Sequence, residues 1–218
     1  EYARQKRVYV PIEDVPQGLI EAYLAAEDAA FYDHPGFDIK GIIRAAITNI
    51  FSSHKQGGST ITQQVAKTFL LTNERTYERK IKELILARRI EKSFTKNEIL
   101  ELYLNQIYLG AGAYGVSAAA LRYYSRPLDE LTIGQMAMLA GLPRAPSAYN
   151  PLVYPRVARL RRDVIIRRME AENFISPTEA ERAIATDLEL NPRRGPDGSA
   201  AASFNEHVRR KLLEDFGA

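Results

Sequence analysis

The sequence predicts an all-α domain, and three observations carry that prediction. A polar cap followed three residues later by glutamate or glutamine recurs at Thr60 with Gln63, Thr95 with Glu98, Thr132 with Gln135 and Ser176 with Glu179. This spacing marks helix starts, because the two side chains satisfy each other's free backbone N–H groups. Strand patterning is nearly absent: only Val8-Tyr9-Val10 has β character, enough for one short strand near the N-terminus. Finally, 45% hydrophobic and 26% charged residues over 218 positions describe a folded body with its own core rather than a disordered, collagen-like or membrane-bundle chain.

The elements follow in order. A first helix is expected over about residues 18–32, then others over about 39–51, 60–71, 76–92 and 96–109. A turn rich in glycine at Gly110 and Gly112 precedes helices over about 115–124, 133–142, 156–173 and 177–185, the last opened by Pro177 at its first position. Asn191 to Ala202, with Pro192, Gly195, Pro196 and Gly198, reads as a linker, and an amphipathic stretch from Phe204 to Phe216 follows.

Composition narrows the chemistry. The chain has no cysteine, which excludes a disulfide framework and a thiolate nucleophile. No apolar run reaches the ~20 residues that span a bilayer, and no signal-peptide pattern opens the sequence. The net charge is +3, with basic residues concentrated between Arg75 and Lys92 and between Arg156 and Arg168. For Arg159, Arg161, Arg162, Arg167 and Arg168, a solvated helix face is the favoured reading over a catalytic role.

Three places could carry chemistry. On the first helix Ile20, Leu24, Glu27 and Phe31 share a face, so Glu27 occupies an apolar position among small alanines. Partial burial would raise its pKa and suit it to abstract a proton, while a salt-bridged helix-edge glutamate is the bland alternative. Asp28 points about 100° away from it, and His34 alone reads as a hydrogen-bonded structural histidine. The run from Gly57 to Gln64 sets a Gly-Gly turn before a capped helix start, where outward N–H groups would favour an anion and Lys67 could assist. An ordinary loop would look the same, and the run lacks the Gly-Lys-Ser/Thr ending of a nucleotide P-loop. In Arg79-Lys80-Ile81-Lys82-Glu83, two cations precede an acid by one turn, the weaker order for helix ion pairs. They suit a pyrophosphate, though before any other information a surface ion-pair cluster is the favoured reading.

Together these motifs are specific. Glu27-Asp28-Ala29-Ala30-Phe31-Tyr32-Asp33-His34-Pro35-Gly36, Gly58-Ser59-Thr60-Ile61-Thr62-Gln63-Gln64 and Arg79-Lys80-Ile81-Lys82-Glu83 are followed by Ile99 to Asn105 with Tyr108-Leu109-Gly110, and by Leu139 to Ser147. In this order and spacing the chain resembles the peptidoglycan glycosyltransferase domain of class A penicillin-binding proteins across nearly its whole length. The resemblance implies a lysozyme-like all-α fold, with a larger head lobe and a smaller jaw lobe flanking a catalytic cleft. It implies a juxtamembrane lead-in at 1–17, the glycosyltransferase domain at 18–190, and at 191–218 a linker and the start of the region leading to a transpeptidase domain.

The implied substrates are lipid II as acceptor and the growing lipid-linked glycan strand as donor, with inverting transfer to the acceptor's 4-hydroxyl. Glu27 matches the family's general base and Glu83 its second essential glutamate. Asp28, Phe31, His34, Thr60, Gln64, Lys67, Arg79, Lys80 and Arg144 match its substrate-binding and supporting positions. No cofactor is expected to bind tightly, with a divalent ion, Mg or Mn, allowed near the donor pyrophosphate. The resemblance further implies a membrane partner, inhibition by a moenomycin-like phosphoglycolipid, and no nucleic-acid partner. The location implied is the outer face of the bacterial cytoplasmic membrane, with a transmembrane helix elsewhere in the protein.

The apolar stripe over residues 39–51 is then expected to touch the bilayer, since a polyprenyl tail must stay there. Thr68, where the family commonly has asparagine, and Gln135, where glutamate is frequent, depart from the pattern. A lytic transglycosylase and a non-catalytic scaffold are the rivals. The Arg79-Lys80-Glu83 cluster disfavours the first, because a sugar leaving group needs no cationic site, and the presence of both Glu27 and Glu83 disfavours the second.

Overall fold

A computed structural model describes residues 8–37, 58–70 and 76–192. Among them are eight α-helices: α1 (Gln17–Glu27), α2 (Ile61–Leu70), α3 (Tyr77–Ser93), α4 (Lys96–Gln106), α5 (Val116–Tyr124), α6 (Ile133–Gly141), α7 (Pro155–Ala171) and α8 (Pro177–Ala185). Two single 3-10 turns sit at Ile12–Asp14 and Leu128–Glu130. The helix expected over 39–51, with its membrane-facing stripe, and the stretch after Pro192 lie outside the described residues.

Each of the four capped starts forms. Thr60 Oγ1 accepts from Gln63 N, Thr95 and Glu98 bond reciprocally, and full capping boxes open α6 at Thr132 and α8 at Ser176. At Ser176 the hydrogen bonds hold the Glu179 carboxyl below its ordinary pKa. Gln135 closes the α6 box and also donates through Nε2 to Glu189 at 3.4 Å. A glutamate at 135 could close the box equally well but would meet the exposed Glu189 with like charge.

Two compact units divide the chain: residues 1–26 with 104–218, and residues 27–103. In the first, α6 packs on α7, α7 on α8, and α5 and α8 on α6. Its core includes Leu19, Tyr23, Leu109, Val116, Tyr123, Leu139, Ile165 and Met169, all fully buried. The expected strand at Val8 to Val10 does not form, and the sole β-bridge among the described residues joins Tyr108 to Tyr114. Instead the Asn105 side chain reads Val10 from both sides, its Oδ1 accepting from Val10 N and its Nδ2 donating to Val10 O, each at 2.8 Å. One amide thus replaces a pairing strand. Gly115, at φ +80, allows α5 to start beside Asn105, since a Cβ there would lie 2.7 Å from the Asn105 carbonyl oxygen.

The arginines of α7 correct the solvated-face expectation. Arg162 is 1% exposed and donates to the carbonyls of Ile184, Thr186 and Asp187 at the end of α8. Arg161 is also buried and donates to Gly141 O, and Arg168 donates to Ala26 O. These guanidiniums supply donors to carbonyls that helix ends leave unsatisfied. Arg159 and Arg167 do face solvent.

In the second unit α2 packs on α3, and Phe31, Ile61, Val65, Ala66, Ala87, Ile90, Ile99 and Leu100 are buried. Here the first helix stops at Glu27, not near Tyr32. From Asp28 the chain turns, with Phe31 N on Asp28 O and Asp33 N on Ala30 O. The physical reason lies in Asp28, whose carboxylate bonds to groups that a continuing helix would have carried it away from.

Candidate active site

The segment that follows α1 is built on Asp28. Its Oδ2 accepts from Ile61 N at 3.0 Å and its Oδ1 bonds His34 Nε2 at 2.9 Å. His34 Nδ1 accepts from Gly36 N, so the ring proton belongs on Nε2 and is donated to Asp28. Thr60 Oγ1 donates to Gly36 O at 2.8 Å. Asp28, Phe31, His34 and Thr60 are 8%, 0%, 9% and 3% exposed, so their contacts lie inside the protein.

This geometry also occupies part of the N–H set at the start of α2, where an anion was expected; Gly57 lies outside the described residues. Ile61 N is taken by Asp28 and Gln63 N by Thr60. A carboxylate of the protein itself sits where an outside anion was expected, and the helix dipole favours it there.

Glu27 ends α1 half-buried, and its Oε2 accepts from Gln64 Nε2 at 2.8 Å. Gln64 comes from the first turn of α2, so the Asp28–Ile61 bond that fixes that turn also brings Gln64 to Glu27. Lys67 is exposed one turn further along α2. The Thr68 hydroxyl donates to Gln64 O within the same helix, so at this position the side chain is turned back on its own backbone.

Glu83 is 2% exposed on α3. Its Oε2 takes Arg79 Nη1 and its Oε1 takes Lys80 Nζ, both at 2.6 Å. Lys80 Nζ donates further to Ser59 Oγ at 2.9 Å and Gln63 Oε1 at 3.2 Å, which uses all three ammonium protons. The cluster is therefore a buried carboxylate clamped by two cations rather than a surface ion-pair ladder. Among the described residues no group of three or more His, Cys, Asp or Glu side chains could hold a metal ion.

Glu27, Asp28, Phe31, His34, Thr60, Gln64, Lys67, Arg79, Lys80 and Glu83 all fall in the second unit, whereas Arg144 belongs to the first and is exposed after α6. Four residues that tie this site together were not singled out for it from the sequence: Ser59, Thr62, Glu91 and Lys96. A cation at the first position of a helix, as Lys96 is in α4, runs against the helix dipole and is the signal that could have found it.

A family model described as "Transglycosylase" matches residues 1–170. The chain belongs to the transglycosylase family. Its relatives in that family include penicillin-binding protein 1A of Rickettsia prowazekii (strain Madrid E), 48% identical over 98% of this chain and 28% of the relative. Penicillin-binding protein 1A of Escherichia coli (strain K12) is 44% identical over 100% of this chain and 26% of the relative. A 2.6 Å crystal structure of penicillin-binding protein 1A from Haemophilus influenzae matches 99% of this chain and 22% of its own, with 28% identity and a TM-score of 0.53. The chain thus spans about a quarter of the length of these relatives. It is an enzyme domain of the peptidoglycan glycosyltransferase class with the all-α, lysozyme-like fold that its motifs implied. Among its described residues no helix is long and apolar enough to cross a membrane.

Proposed function

We propose that this transglycosylase domain, over residues 18–190, polymerises lipid II by inverting transfer, with Glu27 as general base and the Glu83 cluster at the donor pyrophosphate. The observation that carries the reading is the pair of cations held on Glu83. Both Glu83 oxygens hold a cation, Arg79 on one and Lys80 on the other, at 2.6 Å each. Glu27, half-buried at the end of α1, accepts from the amide of Gln64, which orients its carboxylate. Glu27 takes the proton from the 4-hydroxyl of the acceptor's N-acetylglucosamine, that oxygen bonds to the donor's anomeric carbon, and the bond to pyrophosphate breaks on the opposite face.

The leaving pyrophosphate gains negative charge as the bond breaks, so cations already held in place stabilise the transition state more than the ground state. Arg79, Lys80 and Lys67 are those cations. Glu83 keeps Arg79 and Lys80 pointed, and a pyrophosphate oxygen would replace Ser59 or Gln63 on Lys80. A divalent ion does not fit beside Glu83, since an ammonium and a guanidinium already occupy its oxygens and would repel it. Asp28, Phe31, His34 and Thr60 act as supports beneath these groups. The reading places the domain at the outer face of the cytoplasmic membrane, in a protein that also carries a membrane anchor and a transpeptidase domain.

Incubation with labelled lipid II tests it: long glycan strands with released polyprenyl pyrophosphate support the assignment, whereas shortened sugar fragments from preformed glycan would show a lytic enzyme. For the cations, Lys67→Ala and Arg79→Ala should each weaken binding of a moenomycin-like phosphoglycolipid by about tenfold to a hundredfold, the worth of one charge-assisted hydrogen bond. Unchanged binding in both, measured by fluorescence anisotropy, would move the pyrophosphate site elsewhere.

A further inference from the structure

Lys96 opens α4, where the helix dipole favours a carboxylate, so its position carries a local penalty that some other contact must offset. Its Nζ donates to His34 O at 2.6 Å and to Glu91 Oε1 at 2.8 Å, and it stands 4.5 Å from the centre of the Phe31 ring. Glu91, near the end of α3, accepts on the same oxygen from Thr62 Oγ1 at 2.5 Å. Thr62 follows Ile61, whose N–H is held by Asp28, and Asp28 is bonded to His34. The contacts close on themselves: Asp28, Ile61, Thr62, Glu91, Lys96, His34 and back to Asp28. This ring joins the segment after Glu27 to the first turn of α2, the last turn of α3 and the start of α4.

We propose that Lys96 is a positioning residue for the Glu27 base, acting through this ring with Glu91 and Thr62, and touching no substrate itself. The inference rests on the assignment of Glu27 as the base. Gln64, which bonds Glu27, lies two residues beyond Thr62 on α2, so the ring sets where that amide stands. Removing the ammonium frees His34 O and leaves the buried Glu91 with the Thr62 hydroxyl alone. The first turn of α2 can then shift relative to Glu27, and a shift of a fraction of an ångström at a base lowers turnover without altering the groups that bind substrate.

The test uses the full 218-residue chain and three variants, Lys96→Met, Lys96→Arg and Thr62→Val, assayed for initial polymerisation rates across lipid II concentrations. Lys96→Met should lower kcat by roughly tenfold or more with KM within about threefold, since a misplaced base acts in the transition state alone. Lys96→Arg, which can still reach both acceptors, should recover most of that loss. A raised KM with unchanged kcat would make Lys96 a substrate contact, and Lys96→Arg as impaired as Lys96→Met would make it something other than a tether; either result overturns the proposal. If Lys96→Met fails to fold, Thr62→Val removes one ring contact at constant shape, and an unchanged kcat there overturns the proposal just as firmly. Hydrogen exchange gives a readout that needs no activity: the Ile61 amide should exchange faster in Lys96→Met and in Thr62→Val than in the parent. Should the parent itself make no polymer, the glycosyl-transfer reading fails, and the Ile61 exchange rates still decide whether the ring exists.

Discussion

Glu27→Gln should lower polymerisation by about a hundredfold to ten-thousandfold, the usual contribution of a placed general base. The substitution is close to isosteric, and its amide oxygen can still accept from Gln64 Nε2, so the local hydrogen bond survives. What disappears is the ability to receive the acceptor's proton. Substrate binding should be nearly unaffected, because the cationic cluster around Glu83 is untouched. The expected pattern is therefore a collapse of kcat at similar KM, with a melting temperature close to that of the parent. A folded Glu27→Gln variant that polymerises lipid II at a near-normal rate would remove Glu27 from the reaction and with it the division of labour between the two glutamates.

The second large effect is on stability and lies far from that chemistry in sequence. Arg162→Met should destabilise the domain by about 3 kcal/mol, since several buried acceptors lose their donor at once. The guanidinium reaches Ile184 O, Thr186 O and Asp187 O, and its Nε pairs with Asp163 at 2.9 Å. Methionine fills much of the volume, so the loss reports on hydrogen bonds rather than on a cavity. For a domain of this size the melting temperature should fall by roughly 6–12 °C. Arg162→Lys should fall between, because one ammonium cannot span the same acceptors. Calorimetry checks both, and a change of under about 2 °C for Arg162→Met would show that water takes over the role of the guanidinium.

These two residues illustrate how far a sequence can be read. Glu27 stood out because a carboxylate occupied an apolar helix position, and the four capped starts were legible because capping is local, decided within three residues. Arg162 was not legible. In a run of arginines a buried one has no mark, and what Arg162 meets is a set of carbonyls more than twenty positions away. The end of α1 was missed for the same kind of reason: Asp28 leaves the helix to hold Ile61, 33 residues on. At the anion site expected before α2, a side chain from another motif takes one of the N–H groups, which the sequence did not reveal. Ser59, Thr62, Glu91 and Lys96 each look like ordinary helix-end or surface residues until the fold brings 59–62 against 80–96. Motif order revealed the family, and only the folded chain revealed which motif residues are exposed and which are buried.

The pairing of Gln135 with Glu189 also has a consequence for how such a domain can drift over evolutionary time. Glu189 sits at φ +49, a left-handed backbone that costs a residue with a Cβ about 1 kcal/mol or more. Glu189→Asn would ease that backbone and remove the negative charge in one step. Gln135→Glu is then an open move. Taken in the opposite order, the lineage passes through an intermediate with two facing carboxylates. Glu189 is exposed to solvent, so the expected coupling between the two positions is small.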